Sequence, residues 1–143
     1  MKPTPHRDWL TALHRAANAI TATDSADLRP IRSGVDLTVQ AVDAATSGDL
    51  LAALRWMAVL DAVLALSTDL GRLPGAQTGE TRPAPTVPLP DTPETLAALR
   101  ELWSAIHAGL RRYLDTTSHG PDAFSAAVAA RSAQRLVNAG AEQ

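Results

Sequence analysis

Apolar residues recur along this chain at spacings of three and four, the period of an amphipathic helix. Trp9, Leu13, Ala16 and Ile20 form one such stripe and predict a helix from about Asp8 to Ala22. Thr23-Asp24-Ser25 then offers a break and candidate caps. Ile31, Val35, Thr38 and Val42 predict a second helix, from Ala26 or Pro30 to Thr46, with Arg32, Asp36, Gln40 and Asp43 outside. Pro30 must lie near its start, because proline lacks a backbone donor and blocks the preceding turn. Gly34 weakens this helix, and Ser47-Gly48 ends it.

A third helix is expected from Asp49, a natural first-turn acid, to Asp69. Trp56, Leu60, Val63 and Leu64 make a wide apolar face, and Ala58, Ala62 and Ala65 make a second, flanked by Arg55 and Asp61. A helix apolar on most sides is expected at the centre of a bundle. Its alanine face suits the close approach of another helix. Ala58, Ala62, Ala65 and Asp61 are therefore the interface candidates.

From Gly71 to Asp91 the pattern stops. Glycines and prolines replace large apolar residues, which predicts a linker or long loop, extended from Arg82 onward. The fourth helix has the clearest start. Thr92 caps, Pro93 takes the first helical position and Glu94 sits in the first turn. Leu96, Leu99, Trp103, Ile106, Leu110 and Tyr113 or Leu114 face inward, and Ser118-His119-Gly120 ends it. Pro121-Asp122 opens a fifth helix to about Asn138, with a weak stripe of Phe124, Val128, Ser132 and Leu136. The expected fold is all-α: an antiparallel bundle of about five helices, three and then two, within one domain over 1–143.

Composition supports this reading. Alanine fills 28 of the 143 positions and leucine 19, while isoleucine and valine together fill 11, a balance that favours helix over strand. A chain this long hides roughly 68% of its unfolded surface, enough for a core without disulfides. With no cysteine, thiolate zinc sites and cysteine nucleophiles are excluded. Thirteen basic residues oppose fifteen acidic ones with no basic run, so nothing marks a nucleic-acid surface. Twelve of the thirteen cations are arginine, the codon usage of a GC-rich, bacterial genome. The start of the chain lacks the apolar core of a secretory signal. The stretch from Leu50 to Leu66 is short for a membrane span and carries Arg55 and Asp61. A cytoplasmic location is expected, with no membrane contact.

Few residues suggest chemistry. No Glu-x-x-His pair, phosphate-binding glycine loop or Gly-x-Ser-x-Gly elbow is present. No metal or cofactor is expected. Asp61 among apolar neighbours suggests either a perturbed carboxylate in a pocket or, the preferred reading, a stripe-edge residue paired with an arginine. Arg82-Pro83-Ala84-Pro85-Thr86-Val87-Pro88 has the form of a polyproline ligand, although a stiff spacer makes the same pattern.

One internal echo stands out. Arg7-Asp8-Trp9-Leu10-Thr11-Ala12-Leu13-His14 parallels Arg100-Glu101-Leu102-Trp103-Ser104-Ala105-Ile106-His107. In each copy the arginine, the hydroxyl residue and the histidine share one helix flank beside the apolar stripe, with Arg111 one turn beyond His107. The pattern resembles the Arg-x4–6-His motif of HEPN-type ribonucleases, small all-helical proteins in which arginine and histidine of two protomers meet across a dimer and cleave RNA. The resemblance implies an acid/base role for His107 and phosphate binding for Arg100, with Arg7 and His14 as a second copy. It covers eight residues at a time, and Glu101 departs from the residue types usual after the arginine. The preferred reading is that these are seam residues of a non-enzymatic bundle. Such a bundle works through contacts with a protein partner or, above all, with a second copy of itself.

Overall fold

A computed structural model describes residues 5–22, 27–46, 50–73, 85, 89–90, 92–117 and 120–141. Side chains 5–8, 52 and 121 lie outside the description. So do the caps expected at 23–25 and 47–49, His119, and the polyproline-like stretch apart from Pro85. The described residues are 90% helical and contain no strand. The helices are α1 (Pro5–Ala22), α2 (Arg29–Thr46), α3 (Leu50–Leu70), α4 (Pro93–Thr116) and α5 (Pro121–Ala141).

They close a ring in the order α1, α4, α5, α3, α2, with α2 also touching α4 across the middle. Individual contacts fix the directions. The Arg32 guanidinium at the start of α2 donates to the Ser67 carbonyl at the end of α3, 3.0 Å. Arg100 near the start of α4 reaches Gly140 at the end of α5. Asp69 and Asp61 of α3 meet Ser132 and Arg135 of α5. These pairs are all antiparallel. α1 and α4 run the same way, since His14 meets Glu101 and Arg112 reaches the Ile20 carbonyl. α3 and α4 also share a direction, so the connection between them joins opposite ends of the bundle. Two residues of the expected linker or long loop touch the bundle: Leu73 is fully buried and Leu89 packs on the core.

The start of α4 matches its sequence signal. The Thr95 amide donates to Thr92 Oγ1, 3.2 Å, behind Pro93. Its inward face, from Ala98 through Leu110, is buried against α1, α2 and α5. Trp103 lies at the centre. Its indole N–H donates to the buried Thr38 hydroxyl of α2, 3.3 Å, and Thr38 in turn donates to the Gly34 carbonyl, 2.8 Å.

Two expectations are corrected. The sequence places α3 at the centre of the bundle, but α4 holds that position and α3 lies at the rim between α2 and α5. Its core face is Trp56, Val59, Ala62, Val63, Leu66 and Leu70, and Leu64 points outward. The helix is apolar nearly all round, so periodicity alone did not choose its inner side. Its neighbours did. Second, Phe124 of the stripe read for α5 is exposed, and the helix buries Ala126, Ala129, Ala130 and Ala133 alongside Ser132 and Leu136. α5 also runs past Asn138 to Ala141. A Cβ on Gly140 would stand 2.3 Å from the Trp103 ring, so glycine lets the last turn seat there.

Candidate functional site

The Arg-x6-His echo falls on two helices, with Arg7 and His14 on α1 and Arg100 and His107 on α4. Arg100 Nε–H donates to the Gly140 carbonyl, 3.0 Å. That carbonyl belongs to the last turn of α5, where no intrahelical donor remains. Arg100 thus ties the end of α5 to α4. His107 lies about 20° from Arg100 around the helix, on the same flank, and is partly buried. His14 is exposed on α1 and meets Glu101 Oε2 at 3.4 Å. Glu101 and His107 are about 120° apart around α4. Within one chain the two histidines therefore face different seams. The Arg7 side chain lies outside the described residues.

Burial, and then the positive charge of Arg111, hold the His107 pKa below the ordinary histidine value. The sign follows from proton binding. The unfolded chain takes up a proton near pH 6.5 that the folded chain resists, so stability falls as pH drops through that value toward the lower folded one. Asp27, lowered by hydrogen bonds from Arg29, holds its contribution until pH falls below the ordinary aspartate value, outside this window. The melting temperature is thus expected to drop between pH 8 and pH 5, and His107→Gln is expected to flatten that drop. An unchanged slope in the variant would show that His107 does not titrate against folding.

Two depressions border these residues. One runs along α1 past Leu10, Thr11, His14, Arg15 and Asn18, and is open to solvent. The other, between α4 and α5, is lined by Arg100, Trp103, Ser104, Val137 and Ala141 and holds about 270 Å³. Small-molecule sites usually offer about 300–1,000 Å³ of enclosed space. Among the described residues no three histidines, aspartates or glutamates gather as a metal site, and no helix is long and apolar enough to cross a membrane.

The third helix carries the more unusual surface. Of the interface candidates, Ala62 belongs to the protein's own core, because it projects between α3 and its neighbours. Ala58 and Asp61 are exposed, and Ala65 is half-buried on the same outer side. The arginine partner expected for Asp61 is Arg135, at 3.5 Å. Between these residues lie large apolar side chains, of which the sequence reading left Leu50, Leu54 and Met57 unassigned and put Leu64 on the inner face with Trp56. Leu50 is 75% exposed, Leu54 56%, Met57 58% and Leu64 48%. The available signal was a second stripe, opposite Trp56 and Val63, on a helix already credited with one. Phe124 is also exposed, at 72%, toward the start of α5.

Comparison with protein families, characterised proteins and solved structures finds no match. The likeness to HEPN-type ribonucleases therefore rests on the two Arg-x6-His spacings alone.

Proposed function

We propose that this chain is a non-enzymatic helical-bundle protein that works through protein–protein contacts, as a homodimer. The observation that carries this reading is the run of exposed leucines and methionine on the outer face of α3. Water-facing apolar stripes of that length mark association surfaces, since single exposed hydrophobes are ordinary and contiguous ones are not. The arginine–histidine flanks suit a structural role. Arg100 is committed to an α5 carbonyl, and His14 is engaged with Glu101. We place the protein in the cytoplasm of a bacterium, the bacterial origin resting on its arginine-rich composition.

The test against an enzymatic role is direct. Purified protein incubated with single-stranded RNA is expected to leave it intact. General acid–base groups contribute about 10² to 10⁴ in rate, so a real activity would be evident in one variant. RNA cleavage abolished by His107→Ala at unchanged melting temperature would overturn the proposal.

A further inference from the structure

Leu50, Leu54, Met57, Asp61, Leu64 and Thr68 follow one another at spacings of four, three, four, three and four along α3. This is a heptad seam, the pattern a helix shows toward another helix. A groove for a small ligand has no need of it. The seam is the outer face of a 21-residue helix, opposite its core face. Ala58 and Ala65 flank it, and small residues there allow two backbones to approach.

We infer that two copies of this chain pair through α3, antiparallel about a two-fold axis between Met57 and Asp61. The inference rests on the homodimer reading and names its surface. Three observations select this occupant. First, the register is self-complementary: Leu54 meets the partner's Leu64 on both sides of the axis, Met57 meets the partner's Asp61, and Leu50 meets the partner's Thr68. Every exposed apolar position of the seam is covered by one operation. Second, charge selects the direction. A parallel pairing in register would set the two Asp61 carboxylates face to face in one layer, and a buried like-charge layer is costly. The antiparallel pairing sets each Asp61 beside methionine, with its own Arg135 still in reach at 3.5 Å. Third, the seam supplies area: fully covered, its exposed side chains would bury at most on the order of 1,000 Å² over the two copies, the lower limit for a specific interface and the size of a dimer that dissociates on dilution.

The test uses the full chain and light scattering over a concentration series. The wild type is expected to be a dimer. Leu54→Glu puts a charge into the seam twice by symmetry and is expected to weaken association about 100-fold or more, with an unchanged circular dichroism spectrum because Leu54 is exposed. Asp61→Leu completes the heptad and is expected to tighten association about tenfold or more. Since the chain has no cysteine, Thr68→Cys carries a single spin label. Eighteen residues separate the two labels along the antiparallel axis, which gives a separation of about 27 Å at 1.5 Å per residue. A wild-type monomer at every concentration would overturn both this inference and the homodimer reading. A dimer indifferent to Leu54→Glu and Asp61→Leu would overturn the α3 pairing and leave the homodimer reading standing. Labels within about 15 Å of each other would overturn the antiparallel direction.

Discussion

Trp103→Ala is expected to remove about 3–5 kcal/mol of folding stability. The ring is fully buried and lies where three helices meet. Its edge supports Gly140 of α5, and its N–H donates to Thr38 of α2. Truncation forfeits the buried area and leaves a void that rigid helices close only in part. A domain of this size has about 5–15 kcal/mol in total, so the variant is expected to unfold in low urea. Trp103→Phe keeps most of the volume and loses the hydrogen bond to Thr38, so its cost is expected to be much smaller. Urea denaturation of both variants checks the claim. A loss under about 1 kcal/mol for Trp103→Ala would show that α4 is not the hub of the bundle.

The second large effect is expected from Ala62→Trp. Ala62 is 3% exposed, on the core face of α3. Overpacking by a few methylenes already costs about 1–3 kcal/mol, and an indole adds far more volume than that. The expected result is loss of the cooperative thermal transition. Ala58→Trp, one turn away on the exposed side, is expected to keep a cooperative thermal transition when measured at a dilution where the chain is monomeric. Ala62→Trp that stayed folded and dissociated cleanly would place Ala62 on the surface and invert the assignment of α3's two faces.

Much of the fold was legible because helix boundaries carry local chemistry. Thr92, Pro93 and Glu94 announced α4 through hydrogen-bonding capacity and backbone geometry, which need no tertiary context. The stripe from Leu99 to Leu110 likewise pointed inward, because its opposite face is polar. The end of α5 was less legible. The sequence reading ends it near Asn138, yet it runs to Ala141, since Gly140 seats the last turn against Trp103 and Arg100 donates to the Gly140 carbonyl. Both causes lie some forty residues away in sequence. α3 was misread for a different reason. With leucine, methionine or alanine on every side, it has little amphipathic direction of its own, and α2 and α5 decided which half became core. The parallel course of α1 and α4 was also beyond local reading, since it depends on how the long connection returns.

The arginine–histidine echo shows the same limit at the level of a site. Spacing placed Arg100 and His107 on one flank, and helix geometry ensures that much. It carried no information on what the flank faces, and α5 supplies the partner for Arg100. The α3 stripe was present in the sequence at regular spacing, hidden by a stronger stripe on the other side.

The central claim is that the outer face of α3 joins two copies of this chain. Sedimentation velocity on the wild-type protein, diluted from high micromolar concentration, tests it most directly. The account predicts a species of twice the 15.0 kDa chain mass that gives way to monomer on dilution. A single 15.0 kDa species at every concentration would contradict it.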